Sequence, residues 1–88
     1  MGYTRTMNTA QTVVENVRAD LDRVLFTTPD AQRRYLERLE ARLFGDLMAA
    51  KPAQVERLAV AHDLVASALR NFDPVAHAER VRARNMAR

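Results

Sequence analysis

Three prolines divide the chain into four segments, and this division constrains the fold more than any other feature of the sequence. They are Pro29, Pro52 and Pro74. A proline disrupts the interior of a helix but suits its first turn, where the missing backbone N–H would have no partner. Each of these prolines follows a polar residue and precedes a stretch with helical spacing. We therefore interpret each proline as the start of a helix.

The composition favours helices over strands. Only 2 of the 88 residues are glycine, and the chain contains no Asn-Gly or Asp-Gly pair of the kind that closes β-hairpins. Alanine, leucine and arginine, which are the strongest helix formers, are abundant. Cysteine is absent, which excludes disulfides, thiolate catalysis and cysteine-based zinc sites. The sequence therefore predicts a helical protein.

Apolar residues recur at steps of three and four along the first three segments, which is the spacing of one helix face. The first helix is expected to follow a capping box at Asn8 and Gln11 and to stop near Phe26. The second is expected over residues 29–50 and the third over residues 52–72. A weaker fourth helix over residues 74–88 would carry Val75, Ala78 and Val81 on one side.

These segments predict an all-α fold, a small antiparallel bundle of three long helices plus a short C-terminal helix, because short connections fold consecutive helices back on each other. We expect a disordered N-terminus over residues 1–7, a helical bundle over residues 8–73 and a basic C-terminal helix or tail over residues 74–88. No apolar run approaches the length of a membrane span, and the first residues lack the apolar core of a signal peptide. A cytoplasmic location without membrane contact is therefore expected.

No residue forms a recognisable catalytic, cofactor or metal site. His62 borders the apolar stripe of the third helix and is interpreted as a histidine hydrogen-bonded at a helix interface. Asp73 and His77 are interpreted as a helix cap and an ordinary exposed histidine. Ser67, the only serine, has no histidine within one helical turn. Gly45 lies inside the second helix, where it would either permit a close contact between helices, which we favour, or end the helix early.

The third helix presents a wide apolar face that includes a heptad seam. Such a face suits contact with more than one neighbour, and a core of three helices is thin enough that self-association would stabilise it. We therefore predict a non-enzymatic interaction protein of the regulator, adaptor or chaperone type, with a protein partner and a homodimer. The predicted partner interface consists of Leu58, Ala61, Leu64, Val65, Ala68, Leu69 and Phe72.

The net charge of +3 lies entirely in the last fifteen residues. Residues 1–73 hold equal numbers of basic and acidic side chains, whereas residues 74–88 hold four arginines against Glu79. A basic segment of this kind is the basis of the alternative hypothesis, a nucleic-acid-binding regulator. Its contacts with nucleic acid, or with an acidic protein, would be made by Arg80, Arg82, Arg84 and Arg88.

Two known helical patterns match parts of the chain only incompletely. Residues 17–22 resemble the opening of the all-helical chorismate mutases, a resemblance that implies an arginine-lined pocket for a small dianion. Pro29, however, interrupts the long first helix of that family, so an enzyme is not predicted. Residues 54–69 have some of the apolar spacing of a helix-turn-helix, but they lack the turn glycine and continue as helix through residues 60–62.

Overall fold

A computed structural model describes the backbone of residues 9–87 and the side chains of residues 13–87. The helices are α1 (Thr9–Arg23), α2 (Pro29–Met48), α3 (Pro52–Arg70) and α4 (Pro74–Met86), and the described residues contain no strand. The predicted all-α bundle of three long helices with a shorter fourth is confirmed. The expectations for residues 1–7, for the capping side chains of Asn8 and Gln11, and for Arg88 lie outside the described residues.

Each of the three prolines is the first residue of a helix, as predicted. Thr28 caps α2, where its Oγ1 accepts a hydrogen bond of 3.2 Å from the N–H of Ala31. Asp73 caps α4, where its Oδ1 accepts a hydrogen bond of 3.0 Å from the N–H of Val75. Lys51 precedes α3 and makes no side-chain capping bond. Two of the three helix starts are therefore fixed by a proline and a capping side chain together.

The core forms where α3 packs against both α1 and α2. Ala61 and Val65 of α3 are fully buried at this junction. Two contacts give the direction of α2 relative to α3. Arg33, near the start of α2, lies over Phe72, which follows the end of α3. Glu40, further along α2, contacts His62, which lies in the middle of α3. The two helices are therefore antiparallel. The buried core cluster consists of Val17, Leu36, Leu43, Ala61 and Val65.

Gly45 does not mediate a close contact between helices, and that expectation is wrong. It is exposed, and α2 continues through it to Met48. A Cβ atom placed on Gly45 would meet nothing within 4 Å. The absent side chain therefore leaves open space rather than room for a neighbouring helix.

The inward face of α4 also differs from the expectation. Val75 is 67% exposed and Ala78 is exposed, whereas Val81 is half-buried. His77, expected at the surface, is the one buried residue of this helix, at 3% exposure. The prediction for His77 was wrong because it considered only its own helix, whereas contacts with distant parts of the chain bury the ring.

Candidate partner-binding cleft

A cleft of about 440 Å³ opens between the helices at the end of the bundle where α1 ends and α4 begins. Its apolar walls come from α1, α2 and α3 and from the residues that follow α3. The apolar lining residues with large side chains are Leu21, Leu36, Leu64 and Phe72, and Ala68 and Ala76 lie between them. The polar lining residues are Gln32, Ser67, Asn71, Asp73, His77 and Arg80.

The predicted partner interface divides into three groups in the structure. Leu58, Ala61 and Val65 are buried in the chain's own core, at 8% exposure or less. Leu69 is partly buried and packs against that core. Leu64, Ala68 and Phe72 are partly buried and line the cleft. The cleft therefore gathers the part of the predicted face that the chain's own helices leave accessible.

The aromatic ring of Phe72 contacts two other side chains. The guanidinium carbon of Arg33 lies 5.1 Å from the centroid of the ring, which is the geometry of a cation–π contact. The ring of His77 is tilted against Phe72, with 5.8 Å between their centroids. These contacts fix one apolar wall of the cleft in position.

His77 connects α4 to the segment after α1. Its Nε2 donates a hydrogen bond of 2.8 Å to the backbone oxygen of Phe26. A carbonyl oxygen only accepts, so the ring carries its hydrogen on Nε2, and Nδ1 of the neutral ring is an acceptor. That Nδ1 is buried and has no hydrogen-bond partner. His77 is thus a wall of the cleft and also the anchor of α4.

The carbonyl groups at the end of α1 are bound by side chains from α2 and α4. Gln32 of α2, at 4% exposure, accepts a hydrogen bond of 2.8 Å from the N–H of Phe26 and donates one of 3.2 Å to the oxygen of Val24. Arg84 of α4 donates a hydrogen bond of 2.7 Å to the oxygen of Arg23. Because the last carbonyls of a helix have no partner within it, Arg84 replaces a local cap at Arg23, while Gln32 binds the segment that follows α1.

Sequence reasoning missed this arrangement. The sequence pattern does not single out Gln32. It predicts that His77 is exposed and that Arg84 belongs to a basic tail. A signal does exist, because His77 and Arg84 are seven residues apart and so share one face of a helix. The carbonyls that they bind belong to a segment more than fifty residues away, which no local pattern identifies.

The arginines of α4 are not equivalent. Arg80 is exposed and lines the cleft, Arg82 is exposed and is not among the lining residues, and Arg84 binds the carbonyl of Arg23. Successive helical residues are separated by about 100° around the axis, so Arg80 and Arg82 point in directions about 160° apart. The described arginines of the predicted tail contact therefore do not form one continuous basic face.

His62 has the interface role expected of it. Its Nε2 donates a hydrogen bond of 2.6 Å to a carboxylate oxygen of Glu40 on α2, and its ring lies 5.9 Å from that of Phe44.

Within the part of the chain that the structure describes, no three histidine, cysteine, aspartate or glutamate side chains are grouped so that they could hold a metal ion. Nor does any helix of that part combine the length and apolarity needed to cross a membrane.

Tyr35 lies next to the end of α1, with its ring 5.7 Å from that of Phe26. Burial raises the pKa of its hydroxyl above the usual value of 10.0, and the negative charge of Asp20 raises the pKa further. The neutral hydroxyl is therefore the form that the folded chain favours.

No protein-family model, curated protein or solved structure matches the chain.

Proposed function

We propose that this chain is a small non-enzymatic interaction protein, of the regulator, adaptor or chaperone type, that works in the cytoplasm and binds a segment of a partner protein in the cleft. The observation that carries the proposal is the cleft itself. It brings Leu21, Leu64 and Phe72, which are all partly exposed, together above the buried side chain of Leu36. Concave apolar surfaces rimmed by polar groups are typical of binding sites.

The expected occupant is a helical segment that inserts one or two large apolar side chains. Helices bind in apolar grooves through residues spaced three or four apart, and a few buried anchors supply most of the affinity. The walls of the cleft are suited to such anchors because Phe72 is in contact with both Arg33 and His77. A wall that is already ordered loses little further freedom on binding.

The arginines of α4 favour a protein partner over nucleic acid. Arg84 is engaged with the carbonyl of Arg23, while Arg80 and Arg82 lie on different sides of the helix. Binding to duplex DNA relies on several cations that contact phosphates along one surface. Nucleic-acid binding is therefore the alternative hypothesis, which the experiments below also test.

The predicted homodimer remains a prediction, and the buried residues of the seam that suggested it are not free to form its surface. Ala61 and Val65 of that seam are fully buried within a single chain. Large apolar side chains are exposed at the other end of the bundle, where Phe44 is 49%, Met48 67% and Val55 41% exposed. We expect Met48→Glu to weaken self-association measured by sedimentation, whereas Ala61 substitutions would unfold the chain instead.

A matched pair of substitutions on α4 tests the proposed function. Ala76 and Ala78 are both exposed, but only Ala76 is among the residues that line the cleft. Ala76→Trp should fill the cleft, and Ala78→Trp should add the same side chain elsewhere on the same helix. Neither replaces a core residue, and circular dichroism checks that both variants fold.

The measurement is affinity purification from the native host after nuclease treatment, followed by mass spectrometry. We expect a partner protein that the wild type and Ala78→Trp both retain and that Ala76→Trp loses. Equal retention by all three proteins would show that the cleft is not the binding site. Retained material that disappears on nuclease treatment would favour the nucleic-acid alternative.

A further inference from the structure

We infer that the segment bound in the cleft is acidic as well as apolar, an amphipathic helix with carboxylates flanking its apolar anchors. This inference rests on the proposed function, because it names the chemistry of the partner for the same cleft. The observation behind it is that Arg80 of α4 lines the cleft and that Arg33 of α2 and Arg70 of α3 each contact a residue that lines it.

Each of these arginines is positioned at the cleft by a different contact. Arg80 of α4 lines it directly. Arg70 of α3 donates a hydrogen bond of 3.0 Å to the hydroxyl of Ser67, which is a lining residue. Arg33 of α2 lies over the ring of Phe72, another lining residue. One arginine therefore lines the cleft, and two more, from other helices, contact its lining residues.

The opposing negative charge at the cleft is small. Asp73 is the one carboxylate among the lining residues, and its Oδ1 already accepts the hydrogen bond that caps α4. Glu79, the residue before Arg80, is exposed and does not line the cleft. The arginine side chains that line the cleft or contact its lining residues outnumber its one lining carboxylate, and such a surface is complementary to an acidic partner.

The chemistry of arginine agrees with a carboxylate ligand. Its planar guanidinium presents paired donors that match the two oxygens of a carboxylate. Because the three side chains are exposed, salt screens their attraction for a ligand, and each contact adds little affinity by itself. The apolar anchors would supply most of the affinity, and the arginines would select acidic over basic segments.

Two synthetic peptides test the inference with the complete protein. Both are helix-forming peptides of about 14 residues, roughly four helical turns, with the same leucine and phenylalanine positions. One carries glutamate and the other lysine at the flanking positions. Fluorescence anisotropy at about 50 mM salt should show the glutamate peptide binding about tenfold more tightly, and the difference should shrink at about 200 mM salt.

Charge reversal on α4 provides the matched control. Arg80→Glu should reduce the preference for the glutamate peptide by about fivefold, whereas Arg82→Glu, the same change at an exposed position outside the cleft, should leave it nearly unaltered. Circular dichroism confirms that both variants fold. Equal effects of the two substitutions would overturn the inference, because they would show attraction to the overall charge rather than to the rim.

The remaining outcomes separate this inference from the proposed function. If both peptides bind equally and Ala76→Trp abolishes their binding, the cleft is a docking site but its partner is not selected for acidity. If neither peptide binds the folded wild type, both the inference and the use of the cleft for helical segments are overturned. A duplex DNA of about 20 base pairs that binds more tightly than either peptide, with both charge reversals weakening it, would also overturn the inference.

Discussion

The two ends of the bundle are held together by different kinds of contact. At the link end, where residues 24–28 join α1 to α2, side chains of Gln32, His77 and Arg84 bind backbone groups of residues 23–26. At the turn end, where residues 49–51 join α2 to α3, the N–H groups of Ala49 and Ala50 bind carbonyls only a few residues back.

This difference shows which end fixes the relative positions of the helices. The bonds at the link end join residues of three helices, so they fix where α4 lies and thereby shape the cleft. The turn end is closed by local backbone bonds and leaves Phe44 and Met48 at 49% and 67% exposure. A substitution at the link end should therefore change the stability and position of α4, whereas one at the turn end should change only local helix stability.

Gln32→Ala should have the largest effect. It would leave the N–H of Phe26 and the oxygen of Val24 without their partner, at a cost of about 3 kcal/mol in the free energy of unfolding. Urea denaturation followed by circular dichroism measures this cost. Gln54→Ala, at the start of α3 near the turn end, is the control and should change stability by less than about 0.5 kcal/mol. Similar losses in both variants would contradict the contrast between the ends.

His77→Ala should come next, with a loss of about 2 kcal/mol, because it removes one hydrogen bond and a buried ring. Amide hydrogen exchange should show that α4 loses protection while α2 and α3 keep theirs. His77→Phe keeps a ring beside Phe72 but removes the donor, so it separates the two contributions. Unchanged protection of α4 in His77→Ala would show that this residue is not its anchor.

Gly45→Ala should stabilise the chain by about 0.5–1 kcal/mol, because alanine has the higher helix propensity. A Cβ atom at this position meets nothing within 4 Å, so no clash opposes the gain. Ala41→Gly, the reverse change at an exposed position of α2, should lower stability by a similar amount. Thermal unfolding of the two variants measures both shifts, and a destabilised Gly45→Ala protein would disprove the open surroundings of this residue.

Tyr35→Phe should have the smallest effect, and only in alkali. Burial raises the pKa of Tyr35 above 10.0, so its contribution is present at lower pH and is lost as the pH rises through the folded value. The wild type should therefore lose stability between about pH 9 and about pH 11 more steeply than Tyr35→Phe. Identical slopes for the two proteins, measured by urea denaturation, would contradict the raised pKa.

The starts of α2, α3 and α4 could be predicted because they depend on local chemistry, whereas α1, α2 and α3 end two or three residues earlier than expected. Pro29, Pro52 and Pro74 are each the first residue of a helix, and Thr28 and Asp73 cap as their side chains suggest. The inward face of α4 could not be predicted in this way. An apolar stripe suggested Val75 and Ala78, but His77 is the residue buried there, bound to the carbonyl of Phe26, and Arg84 binds the carbonyl of Arg23 while staying exposed.

The apolar half of the cleft was partly predictable. Periodicity placed Leu64, Ala68 and Phe72 on one face of α3 together with Ala61 and Val65. It could not show that α1 and α2 cover Ala61 and Val65 while the first three stay accessible, because periodicity gives a face and not the neighbour that covers it. The predicted interface is therefore divided between core and cleft.

The bonds at the link end also bear on the order in which the chain folds. Gln32 reaches its partners across only 6 and 8 residues, whereas His77 and Arg84 reach theirs across 51 and 61. Closing the longer loops costs more entropy, so the docking of α4 is expected to follow the assembly of α1, α2 and α3. Loss of the His77 contact should then accelerate unfolding while leaving the folding rate nearly constant. The helix that shapes the cleft would be the last to dock in folding and the first to detach in unfolding.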